Sequence, residues 1–170
     1  MFVALLLFFL PSQTVYGADL TLGPHLEWWH SAARHPMGAG LTLRIHQPVV
    51  KTWGIELETA YARGVEKGPG LTYQHNFVRA AGLWTWGMGK ETISVRLGLG
   101  PSVLLRENVL VSDANPEPVR TRMVLPGVRL RGGLDGALFE RVAWSWHMGL
   151  TSVSWPGVHF DTGATMGVRW

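Results

Sequence analysis

The chain contains no cysteine, and only three of its fifteen basic residues are lysine. Without thiols it has neither a disulfide framework nor a thiolate metal site. It also lacks an apolar run long enough to cross a bilayer as a helix of about 20 residues. The longest run, Phe2 to Leu10, covers nine positions, and charges or glycines interrupt every later one. The twelve arginines are spread along the chain, not clustered, so a nucleic-acid-binding patch is discounted. No segment has a convincing helical period.

Tryptophan and glycine are abundant instead, at nine and 21 residues. Tryptophan belongs at membrane–water interfaces. Glycine suits tight turns and crowded interiors. The first seventeen residues, MFVALLLFFLPSQTVYG, read as a secretory signal peptide, although no basic residue precedes the apolar run. Val15 and Gly17 are the small residues expected at −3 and −1 of a cut before Ala18. Residues 18–170 then form one domain of ordinary size.

That domain alternates with period two, the signature of strands whose two faces have different surroundings. The clearest stretch is the last one. Phe160, Thr162, Ala164, Met166, Val168 and Trp170 lie on one face, and His159, Asp161, Gly163, Thr165, Gly167 and Arg169 on the other. The same pattern begins at Leu20 and recurs from Ala39, Trp53, Leu71, Ile93, Val124 and Val142, giving eight predicted strands. In the fourth, about Leu71 to Trp86, the apolar phase changes. Leu71, Tyr73 and Phe77 share one parity, while Val78, Ala80, Trp84 and Trp86 share the other. A β-bulge near Phe77 to Arg79 would reconcile them.

Longer predicted loops (Trp29 to Met37, Ala62 to Gly70, Arg106 to Arg120, Ser152 to Gly157) alternate with short turns at Gln47 to Thr52, Gly87 to Glu91 and Phe139 to Arg141. This asymmetry, with strands of about 9–11 residues, predicts an all-β, eight-stranded antiparallel up-and-down transmembrane β-barrel. A soluble barrel with an apolar interior has the same period. Lipid outside is favoured by glycines on the polar face and tryptophans near strand ends on the apolar face (Trp28, Trp53, Trp84, Trp86, Trp144, Trp170). Polar-face charges of both signs, able to neutralise one another, point the same way.

With its signal segment, alternating loop lengths and terminal Val168-Arg169-Trp170, the chain resembles the small eight-stranded outer-membrane barrels of the OmpA/OmpX class. The resemblance implies residence in the outer membrane of a Gram-negative bacterium, among lipid and lipopolysaccharide. It also implies insertion by the barrel assembly machinery, which reads a C-terminal strand ending in an aromatic. Trp170 stands where that class usually has Phe. A structural or interaction role in the cell envelope is expected, with an extracellular or envelope partner met through the loop Arg106 to Arg120.

The inward face carries the candidate chemistry. Arg44, Glu56, Glu58, Arg96, Arg129, Arg131, Asp161 and Arg169 are expected to form an interior charge network, with Glu27, Arg79, His25, His46, His147 and His159 on the same face. Eight strands leave room for little beyond side chains, so a plugged lumen is favoured over a narrow pore. A lipid A or phospholipid hydrolase is the enzymatic alternative. Ser145, His147 and Asp161 supply a Ser/His/Asp set, but on the lumenal face and without the His-x-Ser order of lipid A deacylases. No cofactor is expected, and no metal, because His25 and Glu27 have no third ligand at a fixed spacing. His30 and His35 are expected in a solvated loop. Trp86 to Glu91 lacks the spacing and hydroxyl of a phosphate loop.

Overall fold

The computed structural model describes residues 17–30, 37–90, 92–139, 141–153 and 157–170. Eight antiparallel strands follow in chain order. They are β1 (Asp19–His30), β2 (Met37–Val50), β3 (Trp53–Gly68), β4 (Leu71–Lys90), β5 (Ile93–Ser112), β6 (Asn115–Leu138), β7 (Val142–Val153) and β8 (Gly157–Arg169). Each pairs with its neighbours in sequence, and β8 returns to β1, closing the barrel. The seam runs from Asp19 opposite Arg169 to His30 opposite Val158. The Trp170 amide donates to the Ala18 carbonyl at 3.1 Å, so the last residue is fastened beside the first strand.

Alternation is realised around the ring. Outward positions form an apolar belt that includes Leu22, Leu41, Leu57, Val78, Leu99, Val128, Met148 and Met166, all exposed. Aromatics concentrate toward the end that carries the termini. Trp53 stands opposite Trp86, and Trp84, Trp146 and Trp170 are exposed nearby. Toward the far end of the belt, Trp28 stacks on Phe160 across the seam, with ring centroids 6.4 Å apart. A closed sheet leaves no free edge within the belt, and such an outer surface is satisfied by hydrocarbon, not water.

Two predicted loops are strands. Ala62 to Gly70 lies within a hairpin in which Gly68 pairs with Leu71 across a Pro69-Gly70 turn. Proline followed by a glycine at φ 69° is the chemistry of a type II turn. Arg106 to Arg120 likewise continues β5 and β6, paired from Arg106–Met123 to Leu110–Val119, with an irregularity before the Asp113-Ala114 turn. β3 to β6 therefore rise beyond their neighbours as a four-stranded blade. β7 ends at Val153, opposite Gly127, leaving the outer part of β6 beyond it. Of the two other predicted loops, residues 31–36 and 154–156 lie outside the described part, as does the segment 1–16.

The bulge expected in β4 is absent. β3 and β4 pair without a break from Trp53–Trp86 to Gly68–Leu71, so Phe77 and Arg79 share the inward face. The change of hydrophobic phase marks a change in what fills the barrel. Inward Phe77, Leu104, Leu125, Ala62 and Val153 form a buried apolar layer with Trp29, which belongs to β1 and not to a loop. Trp29 stacks on Phe77 at 6.3 Å, and the Arg106 guanidinium sits 3.9 Å from the Trp29 ring centroid. Phe77→Ala is therefore expected to cost about 3–5 kcal/mol in denaturant unfolding of the folded protein in micelles. A loss below about 1 kcal/mol would place Phe77 outside the barrel.

Candidate functional site

The polar interior lies between that apolar layer and the end carrying the termini. Four buried arginines (Arg44, Arg79, Arg129, Arg131) and the half-buried Arg96 meet five buried carboxylates (Glu27, Glu56, Glu58, Asp135, Asp161). They divide into two clusters stacked along the axis. Nearer the termini, Arg44 Nη2 binds Glu56 Oε2 at 2.6 Å, and Arg131 Nη1 reaches the same oxygen at 3.1 Å. Asp135 Oδ1 lies 3.4 Å from Arg44 and 3.2 Å from Arg131, while its other oxygen is 3.3 Å from Arg96 Nη1. The backbone register sets Arg44 opposite Glu58, yet its side chain reaches diagonally to Glu56.

In the second cluster Arg129 clamps Asp161 with two bonds, Nη1 to Oδ2 at 2.6 Å and Nη2 to Oδ1 at 3.0 Å. It also holds Glu58 at 2.9 Å, which Arg79 approaches from the other side at 3.0 Å. Arg79 Nη1 bridges Glu27 and Asp161, at 3.1 and 3.2 Å. Glu27 is further held by His25 Nε2 at 3.0 Å and His159 Nδ1 at 2.9 Å. The clamp depends on glycine across the sheet. A Cβ on Gly149 would come within 2.5 Å of Arg129 Nη1 and 2.7 Å of Asp161 Oδ2. Bidentate guanidinium–carboxylate pairs are the strong, geometrically specific form of this contact.

Each expected network residue has a definite place. Arg44, Glu56, Arg96 and Arg131 lie in the first cluster, Glu58, Arg129 and Asp161 in the second. Arg169 stands apart at the rim, bound to both oxygens of Asp19 at 2.7 and 3.0 Å. Asp135, which joins the first cluster, is absent from the network expected from the sequence. It keeps the inward parity of Arg129 and Arg131, which is the signal that would have found it.

The Ser/His/Asp set is not assembled. Ser145 Oγ accepts bonds from Arg44 and, at 3.0 Å, from Arg131. Its hydroxyl is thus engaged in the first cluster. His147 instead approaches Asp161, with Nε2 3.9 Å from Oδ1. His25, His147 and Asp161 place ligand-type atoms within 4.8 Å of one another. However, Asp161 is already shared by Arg129 and Arg79, and two guanidiniums beside it oppose a further cation. The side chains of His30 and His35 lie outside the described part. His46 is buried, with Nε2 3.2 Å from Thr85 Oγ1.

No family model matches the chain, and no curated protein matches it. Solved structures do. Ail, the attachment invasion locus protein of Yersinia pestis, in complex with the heparin analogue sucrose octasulfate, aligns with TM-score 0.70 at 10% identity, over 91% of this chain and 98% of Ail. Neisserial surface protein A aligns with TM-score 0.65 at 10% identity, over 91% and 99%. The outer membrane protein OprG of Pseudomonas aeruginosa gives 0.54 at 10%, over 91% and 94%. The fold is that of the small eight-stranded outer-membrane barrels, as the sequence pattern predicts.

Removing one partner of a buried ion pair strands the other charge, at about 3–5 kcal/mol. Arg129→Met leaves Asp161 without its clamp, and a loss of that size is expected in urea unfolding. Asp19→Asn at the wetter rim is expected to cost clearly less. Equal losses for the two variants would contradict the clamp's central place.

Proposed function

We propose that this protein is an integral outer-membrane barrel, closed to solutes, that anchors an interaction surface at the cell exterior. The observation that carries this reading is the filled lumen, with two ion-paired clusters and an apolar layer stacked on one axis. An eight-stranded barrel has just enough interior for such side chains. Every arginine of the two clusters faces at least one carboxylate. Opening a path for ions would require breaking several of these pairs together. The short turns and termini then face the periplasm, and the blade of β3 to β6 faces outward. Residues 1–17 serve as the signal peptide, and β8 with its apolar Val168 and terminal Trp170 serves as the segment read by the barrel assembly machinery.

The blade supplies the interaction surface. Arg63, Asn76, Glu107 and Arg122 occupy one cross-strand row on its outer face. Glu107 accepts from Arg122 Nε at 2.8 Å and from Asn76 Nδ2 at 3.1 Å, contacts that hold its carboxyl below the usual carboxylate range. Arg63, Lys67, Arg120 and Arg122 are exposed around the row. A basic face directly above the lipid belt suits the phosphates and anionic sugars of lipopolysaccharide. Ail, with the same fold, was crystallised with a sulfated sugar.

The folded protein is expected to run at a shifted position on unboiled gels and to give no conductance steps in planar bilayers. Reproducible steps from homogeneous folded protein would overturn the closed lumen. Arg63→Gln combined with Arg122→Gln is expected to weaken lipopolysaccharide binding several-fold at low ionic strength. Binding unchanged in the double variant would remove the blade from that role.

A further inference from the structure

The end of the barrel carrying the termini opens into a vestibule of about 620 Å³, a volume suited to a small molecule. Four cationic side chains line it: Lys51 from the β2–β3 turn, Lys90 at the end of β4, Arg96 from β5 and Arg169 from β8. No carboxylate is among the lining residues described. Arg169 and Arg96 are each held on one side by a carboxylate set back from the cavity, Asp19 and Asp135. Among the described residues no ion pair holds Lys51 or Lys90. His46, 5% exposed, also lines the vestibule, and its Nδ1 has no hydrogen-bond partner among the described residues. Charge of one sign thus converges from four separate elements, beside a buried imidazole nitrogen left unused.

From this geometry we propose that the vestibule binds a phosphate-bearing anion. Two arginine forks anchored by Asp19 and Asp135 are preorganised donors, and such forks match phosphate geometry. The two lysines add mobile charge at the mouth. Thr52 and Ser94 bring hydroxyls to the same walls. The ligand is either a soluble phosphorylated compound or the headgroup of an anionic phospholipid at the membrane margin. The site lies at the opposite end from the blade and does not depend on whether the lumen conducts.

The test uses the folded protein in phosphatidylcholine nanodiscs, with tripolyphosphate as probe and titration calorimetry as readout. Saturable binding is expected, weakened at least tenfold by Lys51→Gln with Lys90→Gln. Both lysines sit in or beside turns, so their replacement leaves the barrel pairing intact, which the unboiled gel shift verifies. Repeating the titration in phosphatidylglycerol nanodiscs separates the sources. Loss of probe binding there assigns the site to a lipid headgroup, and equal affinity in both lipids assigns it to a soluble ligand. Absence of saturable binding in phosphatidylcholine, or equal binding by the Lys51/Lys90 variant, overturns the proposal.

Discussion

The structure depends on the mutual neutralisation of guanidinium and carboxylate groups inside the barrel. Burying one such ion without a partner costs several kcal/mol, and a pair recovers that only when its geometry is good and its remaining hydrogen-bonding groups are satisfied. Here the pairing is achieved by sharing, while Nε of Arg79, Arg129 and Arg131 has no hydrogen-bond partner among the described residues. Glu58 serves Arg79 and Arg129, Asp161 serves the same two, and Glu56 serves Arg44 and Arg131. Each of these three carboxylates has two arginine neighbours, while Glu27 has Arg79 and the imidazoles of His25 and His159. The first cluster has three arginines to two acids, the second two arginines to three acids. Their opposite excesses lie one above the other on the axis, and the interior balances as a whole.

The sheet's small circumference governs the rest. Large guanidinium pairs need room beside them, and Gly149, the cross-strand neighbour of Asp161, leaves it for the Arg129–Asp161 clamp. Beyond the second cluster the filling changes from ions to rings. Phe77, Trp29 and His159 pack against one another, with the His159 ring edge-on to both at 3.9 and 5.3 Å. His159 also donates to Glu27, so one imidazole joins the ionic and apolar layers. Arg106 then covers the Trp29 ring and reaches Asn108 Oδ1 at 2.8 Å, turning the lumen polar again at the base of the blade.

Much of this was legible in the sequence because lipid and lumen impose opposite chemistry on alternate residues. Leu41, Leu43 and Ile45 against Thr42, Arg44 and His46 could be assigned to faces without any partner strand. What failed was the assumption that inward means polar. Phe77 and Leu83 are apolar and inward, so a rule of alternation alone requires a bulge that would turn Phe77 to the lipid, where β4 runs unbroken. The blade was missed for a related reason. Above the membrane both faces of a strand meet water, the hydrophobic period fades, and Pro116 and Pro118 read as loop even though β6 runs through them. The pair Arg44 with Glu56 was legible because the two flank one turn on adjacent strands, whereas Arg129 with Asp161 joins β6 to β8 and depends on register and side-chain reach together.

Closure also decides where the protein's net positive charge can act. The chain carries a formal +3, yet its buried clusters cancel, so the surplus belongs to the two ends. At one end Arg63, Lys67, Arg120 and Arg122 stand on the outer face of the blade; at the other Lys51, Lys90 and Arg169 line the vestibule, beside Arg96 of the first cluster. The two settings differ physically. The blade's charges are spread over an open surface and screened by salt, since the Debye length is about 8 Å at physiological ionic strength. The vestibule's charges line a half-open cavity and approach it from several sides. With a neutral core between two basic ends, the proposed contacts of the blade would be broad and salt-sensitive, and those of the proposed vestibule site the more selective.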